Sequence, residues 1–303
     1  MKKGISILFH LTSYMMVSPV YQQNPSSLPL VLLEDIIIID RNNFHLSGMT
    51  IDMAGNCYIV SDEHEYIYQL VLEGNDRGRV NKIKELEAQK EMEAIVSIDT
   101  TFLVGVEENA NQVVSFRPTD TLVTTGQLSS GSWDNEGIEG LALDTDKKVL
   151  YIAKEMYPSV LYRYQIGSSG DPKKIEIQGI NETEDVSDLY FEGGYLYALM
   201  RKAREIRKID LTQKKVVSIF RYFDFVAKDR GKKIKSLYYQ KSSEQKKGYG
   251  LAESLAITKD WIYVGFDNNG QSLLRWAKRK YKDFDSETVG SKPIIMKFRR
   301  PKF

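Results

Sequence analysis

Residues 138–155 have the sequence IEGLALDTDKKVLYIAKE, in which two mainly apolar runs flank the polar segment DTDKK. In each run, apolar side chains recur at alternate positions, and this period of two is typical of β-strands. Asp and Lys between two such runs are typical of a tight turn. The stretch therefore predicts a pair of short antiparallel strands.

Four other stretches have the same pattern, so the strand pair is an internal repeat. They are LSGMTIDMAGNCYIVSDE from Leu46, MEAIVSIDTTFLVGVEE from Met92, VSDLYFEGGYLYALMRK from Val186 and AESLAITKDWIYVGFDN from Ala252. Two more strand-like runs follow each of the first four pairs, and these repeats start about 45 to 48 residues apart. Four strands per repeat is the composition of a β-propeller blade.

The fifth repeat has a third strand, IIMKF from Ile294, but no fourth. The run LVLLEDIIIID from Leu30 precedes the first repeat and can supply it, which closes the ring and removes the exposed sheet edges. We therefore predict an all-β fold, a β-propeller of five blades closed by an N-terminal strand. The propeller is expected to be a single domain over residues 23–303, with insertions near 221–250 and 270–292. Six blades are the alternative if the insertions contain a degenerate blade.

The composition is that of a globular chain and not of a disordered one. Of 303 residues, 42% are hydrophobic and 27% are charged, and the net charge is +1. The single cysteine, Cys57, excludes an intramolecular disulfide framework and any metal site that needs several thiolates.

The charge is unevenly distributed along the chain. Residues 1–200 contain 15 basic and 30 acidic side chains, whereas residues 201–303 contain 27 and 11. The loop 228–247 has eight Lys or Arg residues together with Tyr238 and Tyr239. Such a loop is either a solvated surface segment or a docking site for an anionic partner.

The N-terminus predicts a signal peptide over residues 1–22. Lys2 and Lys3 precede an apolar stretch from about Ile5 to Val17, which is too short to span a bilayer. We expect export to the periplasm, the cell surface or the medium, with no integral membrane segment after this peptide. The alternative is an N-terminal segment that stays in place and is disordered or docked.

Alignment of the repeats places polar residues at two repeated positions, which predicts two rings at one mouth of the central channel. The first ring is predicted from the first residue of each innermost strand and contains Ser47, Glu93, Glu139, Ser187 and Glu253. The second is predicted from the last residue of each adjacent second strand and contains Asp62, Glu107, Glu155, Arg201 and Asp267. Because the two strands are antiparallel, both rings are expected at the same end.

Seven carboxylates around a narrow opening repel one another unless a cation neutralises them or some are protonated. Oxygen ligands without thiolates favour a hard cation, and calcium accepts the loose geometry that ligands from separate blades would give. The alternative is that these carboxylates cap strand ends and face water. The candidate calcium ligands are Glu93, Glu139, Glu253, Asp62, Glu107, Glu155 and Asp267.

Other polar residues are predicted to surround this mouth and to contact a small-molecule or protein ligand. They are His45, Ser47, His64, Glu136 and Arg201. Either histidine can act as a general acid or base near neutral pH, although an isolated loop histidine is more often solvated.

The repeats NEGIEGLALDTDKKVLYIAKE from Asn135 and GLAESLAITKDWIYVGFDNN from Gly250 resemble the bacterial SdiA-regulated β-propeller family. They are also similar to the neighbouring family labelled "esterase-like activity of phytase". The resemblance implies an exported five-bladed propeller with a calcium site, and its E-G-[LI]-A motif matches Glu139, with Glu93 and Glu253 as blade equivalents. Blade four departs from the motif, since it has Ser187 and Arg201, so any cation site is expected to lie toward the other blades.

Two functional hypotheses follow. The first is an exported propeller that binds calcium at its acidic mouth and uses that face to bind a ligand or a protein. The second is a calcium-dependent phosphoesterase or esterase-like hydrolase, in which the cation polarises an anionic substrate. The chain has no nucleophile elbow, phosphate-binding loop, zinc-protease or dinucleotide-binding motif, so its sequence does not decide whether it is an enzyme.

Overall fold

In the computed structural model of the chain, every described element is a β-strand. The structure describes residues 33–86, 91–98, 101–106, 112–116, 123–127, 137–154, 160–168, 170–222, 227–229, 232–234, 252–267 and 292–301. The predicted signal peptide and residues 270–291 of the second insertion lie outside these ranges. No helix in the described ranges is long and apolar enough to cross a membrane.

Five four-stranded antiparallel sheets form the five blades of a propeller, as predicted from the repeats. Blade one contains β2 (Leu46–Ile51), β3 (Cys57–Ser61), β4 (His64–Leu70) and β5 (Val80–Glu85). Blade two contains β6 (Met92–Ile98), β7 (Thr101–Val106), β8 (Gln112–Phe116) and β9 (Val123–Gln127). Blade three contains β10 (Ile138–Asp144), β11 (Val149–Lys154), β12 (Val160–Gln165) and β13 (Lys173–Ile175).

The last two blades have the same strand order. Blade four contains β14 (Val186–Glu192), β15 (Tyr195–Met200), β16 (Glu205–Asp210) and β17 (Lys215–Arg221). Within the first insertion, β18 (Ala227–Asp229) and β19 (Lys232–Ile234) form a separate hairpin. Blade five contains β20 (Ala252–Ile257), β21 (Trp261–Phe266) and β22 (Ile294–Arg299).

The N-terminal strand closes the ring. Strand β1 (Leu33–Ile38) pairs antiparallel with β22, with Ile36 opposite Met296, and thereby becomes the fourth strand of blade five. The innermost strands contact one another in the order β2, β6, β10, β14, β20 and back to β2. This arrangement confirms the prediction of five blades.

Among the described residues, the hydrophobic core forms five clusters, and each cluster joins two adjacent blades. The cluster between blades five and one, for example, contains Ile59 and Tyr68 of blade one and Tyr263 and Ile295 of blade five. The other four lie at the remaining blade interfaces. Both faces of a blade are therefore covered by its neighbours, which explains the apolar alternation in every repeat.

Candidate functional site

The innermost strand of every blade has a β-bulge at the same position, and the residue in the bulge belongs to the predicted first ring. In blade one, Leu46 pairs with Ser61 and Gly48 pairs with Val60, so Ser47 is the additional residue. The same register shift occurs at Glu93, Glu139, Ser187 and Glu253. A bulge changes the direction of a side chain, and here it does so five times at the same end of the propeller.

The second-ring residues directly follow the second strand of their blades. Asp62 follows β3, Arg201 follows β15 and Asp267 follows β21. The predicted site residues Glu107, Glu155 and Glu136 lie outside the described residues. Arg201 contacts two first-ring glutamates, so the two rings meet at one mouth.

Arg201 is the centre of a buried ion-pair network that joins three blades. Its Nη2 lies 2.8 Å from Glu139 Oε2 of blade three, and its Nη1 lies 2.8 Å from Glu253 Oε1 of blade five. Asp185, directly before β14, contributes Oδ1 at 3.2 Å from Nη2. Only 9% of the Arg201 side chain is exposed, and 3% to 14% of the three carboxylate side chains.

The charges in this network are only partly balanced. Burial by itself would lower the pKa of Arg201, but Glu139, Glu253 and Asp185 together raise it well above its usual value. Burial raises the pKa of Glu253, and the neighbouring carboxylates add to this effect although Arg201 opposes it. The network therefore holds a permanently charged guanidinium and one carboxyl group that tends to keep its proton.

Blade one, which does not adjoin blade four in the ring, has a different pair at the mouth. His45 Nδ1 lies 3.6 Å from Asp62 Oδ1 and 3.8 Å from Glu63 Oε1. Asp62 Oδ1 is buried and has no hydrogen-bond partner. Burial raises the pKa of Asp62 to about 6, with His45 opposing the rise and Asp267 adding to it. Asp267 is itself buried, so two acidic side chains lie near each other where blades one and five meet.

The two serines of the first ring bind the protein backbone. The hydroxyl of Ser47 donates a hydrogen bond to the carbonyl of Met92, the residue before Glu93. The hydroxyl of Ser187 donates to the carbonyl of Ala252, the residue before Glu253, at 2.7 Å. Both side chains are buried, so each serine links its blade to the next one.

His64 has aromatic neighbours. Its ring lies 5.4 Å from Phe44 and 6.0 Å from Tyr68 between centroids, and burial lowers the pKa of His64. The neutral form is therefore favoured at this position.

Asp185 was not among the residues predicted from the sequence, although the repeats contain the signal for it. Asp185 lies two residues before Ser187, and His45 lies two residues before Ser47. Each of them contacts the second-ring residue of its own blade. A comparison of this position with the second ring across the repeats would have predicted both pairs.

The described residues fit a metal ion poorly at the centre of the mouth. The Arg201 guanidinium lies between Glu139 and Glu253, two of the predicted calcium ligands. With Arg201 between them, Glu139, Asp185 and Glu253 do not come close enough together to hold a metal ion, and within the described ranges no other three His, Cys, Asp or Glu side chains do so either. Calcium also accepts backbone carbonyl oxygens and water, so two carboxylates such as Asp62 and Asp267 can form part of its coordination shell.

Structural comparison finds propellers of low sequence identity. The glutaminyl cyclase of Myxococcus xanthus has a TM-score of 0.54 and 11% identity, covering 90% of this chain and 98% of that chain. The PQQ-bound aldose sugar dehydrogenase of Streptomyces coelicolor has a TM-score of 0.43 and 12% identity, covering 88% and 98%. At these identities, similarity to the cyclase shows the fold and carries no information on activity.

Comparison of the sequence with curated proteins gives no match. The family model described as SdiA-regulated matches residues 42–224, which is more than half of the chain and includes blades one to four. The chain therefore belongs to the SdiA-regulated family.

Proposed function

We propose that the protein is a binding module that takes a divalent cation, calcium, at its acidic mouth and uses this face to bind a small molecule or a protein. The cation site that we propose lies where blades one and five meet. It includes Asp62 and Asp267, with backbone carbonyl oxygens and water completing the coordination.

The half-buried carboxylate of Asp62, with its buried Oδ1, is the observation that carries this proposal. One of its oxygens has no hydrogen-bond partner, and burial together with the charge of Asp267 raises its pKa to about 6. A carboxylate held under such conditions is stabilised by any cation that reaches it, because the cation replaces lost hydration and offsets the repulsion. His45 supplies a compensating charge only when it is protonated.

A bound calcium would supply positive charge at the mouth and could orient an anionic group of a ligand. The residues of the protein would then set the shape of the binding face. His45 lies on the same side of the mouth, and the Arg201 network fixes blades three, four and five on the other side.

Calorimetric calcium titration of the metal-stripped protein tests the proposal. We expect a dissociation constant of about 10⁻⁴ to 10⁻³ M, the range of extracellular calcium modules. Asp62→Asn should weaken binding at least tenfold. The matched control is Asp76→Asn, which removes an exposed carboxylate of blade one that pairs with Arg79 away from the mouth. Absence of binding by the unaltered protein, or equal affinities of the two variants, would contradict the proposal.

A calcium-dependent assay on a panel of carboxylic esters and phosphomonoesters separates binding from hydrolysis. The binding module should turn over none of them. Turnover that requires calcium and is lost in Asp62→Asn would show that the protein is a hydrolase and would contradict the role of a binding module without catalysis.

We propose in addition that the protein is exported. The sequence of residues 1–22 supports this, and their removal would leave the ring-closing strand β1 intact because that strand begins at Leu33. Mass spectrometry of the N-terminus in protein recovered from the periplasm or the medium tests the proposal. A mature chain that begins at Met1, or protein found only in the cytoplasm, would contradict it.

A further inference from the structure

The guanidinium of Arg201 lies where a cation shared by blades three and five would have to lie. It makes one 2.8 Å contact to a first-ring glutamate of each of these blades, Glu139 and Glu253. Asp185 approaches the same group at 3.2 Å. Three carboxylates from three separate segments thus converge on one cation that belongs to the protein.

Because the network is buried, Arg201 prevents a metal ion from binding to the same carboxylates. The Arg201 side chain is 9% exposed, so the guanidinium cannot move into water without breaking the packing around it. A divalent ion bound by the same carboxylates would lie within a few ångströms of a second positive charge, and this repulsion is weakly screened in a buried site. Arg201 and a metal ion are therefore alternatives at this position.

The three carboxylates of the network are also arranged to bind one large cation. Arg201 offers a planar set of donors that can bind several carboxylates at once, which matches acidic groups arriving from different blades. Lys202 Nζ lies 3.6 Å from the other oxygen of Asp185 and adds positive charge at the surface of the network. In blade one, the second-ring residue at the position of Arg201 is Asp62, and no arginine takes this role there.

We infer that Arg201 is a built-in counter-ion that takes the place of a metal ion between Glu139, Asp185 and Glu253. The Arg201 network then binds no metal, and cation binding is confined to Asp62 and Asp267, where blades one and five meet. The role of Arg201 as a counter-ion follows from its contacts. The restriction of cation binding to blades one and five rests on the proposed function. The inference differs from the family resemblance, which implies Glu139 and Glu253 as calcium ligands.

Arg201→Gln tests the inference because it removes the guanidinium and keeps the three carboxylates. We expect the variant to bind one calcium more per chain than the unaltered protein, and calcium to raise its melting temperature by a larger amount. The matched control is Arg207→Gln. Arg207 is similarly buried in blade four but pairs with Glu184 and Glu205 instead of with the three carboxylates around Arg201, so its loss should add no calcium between them.

The outcomes separate this inference from the proposed function. In the double variant Asp62→Asn with Arg201→Gln, the additional site should persist while the blade-one site is lost. No additional calcium in Arg201→Gln, equal gains in Arg207→Gln, or an Arg201→Gln variant that stays unfolded with calcium would each overturn the inference. Loss of binding in Asp62→Asn alone concerns only the proposed function.

Glu139→Gln gives a second test in which Arg201 is kept. Because Glu139 already binds the Arg201 guanidinium, calcium affinity should stay within twofold of the unaltered protein. A loss of tenfold or more would make Glu139 a calcium ligand and would overturn the inference.

Discussion

Blades one and four have the same framework and opposite charges at the mouth. In both, the first-ring residue is a serine that binds the backbone of the next blade, Ser47 in one and Ser187 in the other. In both, a residue two positions before this serine contacts the residue that follows the second strand. The bulge at the first ring and the contact to the second ring are therefore shared, although the turn after the second strand is shorter in blade one (62–63) than in blade four (201–204).

The pair in blade one is His45 with Asp62, and the pair in blade four is Asp185 with Arg201. The basic partner of the first pair is an imidazole, whereas Arg201 is a guanidinium that keeps its charge under all ordinary conditions. Blade four therefore carries a permanent internal cation. This difference makes the two sides of the mouth chemically distinct, although the repeats that form them are nearly equivalent.

The largest effect is expected from removing the internal cation of blade four. Without calcium, Arg201→Gln leaves three buried carboxylates without their counter-ion and should lower the free energy of unfolding by about 3–5 kcal/mol. Urea denaturation measures this. Lys202→Gln, at a half-exposed residue 3.6 Å from Asp185, should cost no more than about 1 kcal/mol. Equal losses in the two variants would mean that Arg201 is not the main counter-ion.

A second difference between the blades lies directly after the first ring. Blade four has Asp188, whose buried carboxylate accepts backbone N–H bonds from Leu189 at 2.7 Å and from Leu255 of blade five at 2.6 Å. Asp188→Ala leaves these donors unsatisfied, so we expect a loss of about 2 kcal/mol in urea denaturation.

Ser254→Ala is the control at the same position of blade five. The hydroxyl of Ser254 is buried without a hydrogen-bond partner, so its removal should leave stability unchanged or slightly higher. If Ser254→Ala lowers the free energy of unfolding as much as Asp188→Ala, this position is sensitive to any substitution, and the loss in Asp188→Ala does not measure its hydrogen bonds.

The two serines test the part of the framework that the blades share. Ser47→Ala and Ser187→Ala each remove one hydrogen bond between neighbouring blades and should each lower the free energy of unfolding by about 1 kcal/mol. Urea denaturation of the two variants in parallel measures this. Losses that differ by more than twofold would break the equivalence of the blades.

The smallest effect depends on pH and concerns blade one. Burial raises the pKa of Asp62 to about 6 in the folded chain, against about 3.9 in an unfolded one. The folded state therefore prefers protonated Asp62. This contribution to the free energy of unfolding is fully present below about pH 4 and is lost as the pH rises through 6. Asp62→Asn should therefore raise stability above pH 7 without calcium, by about 1 kcal/mol or less because a third of the side chain is exposed. At pH 4 it should have no effect.

Asp185→Asn is the matching substitution in blade four, and thermal melts over a range of pH values compare the two. It removes an ion pair with Arg201 and should lower stability at pH 7. A change of the same sign in both variants at pH 7 would contradict the distinction between the blades.

Much of the fold could be predicted from the sequence because the information is local and is repeated five times. Apolar alternation marks each strand pair, and the missing fourth strand of blade five predicts its pairing with β1. The positions of the two rings could be predicted for the same reason, since each ring residue has a fixed place in its repeat.

The partners of the ring residues could not be predicted in this way. Arg201 meets Glu253 and Glu139, which are 52 and 62 residues away in sequence and belong to the neighbouring blades. Ser187 occupies the same repeat position as these glutamates but binds the backbone. Side-chain length and the direction set by each bulge decide such contacts.

The sequence by itself determined the class of fold, the number of blades, the closing strand and the acidic character of one mouth, because these follow from local periodicity and composition. The tertiary structure decided that Arg201 binds carboxylates of three segments and that Asp62 is half-buried near Asp267 and His45. Charges from different blades come within a few ångströms only after the ring closes, and their burial then determines how strongly they interact.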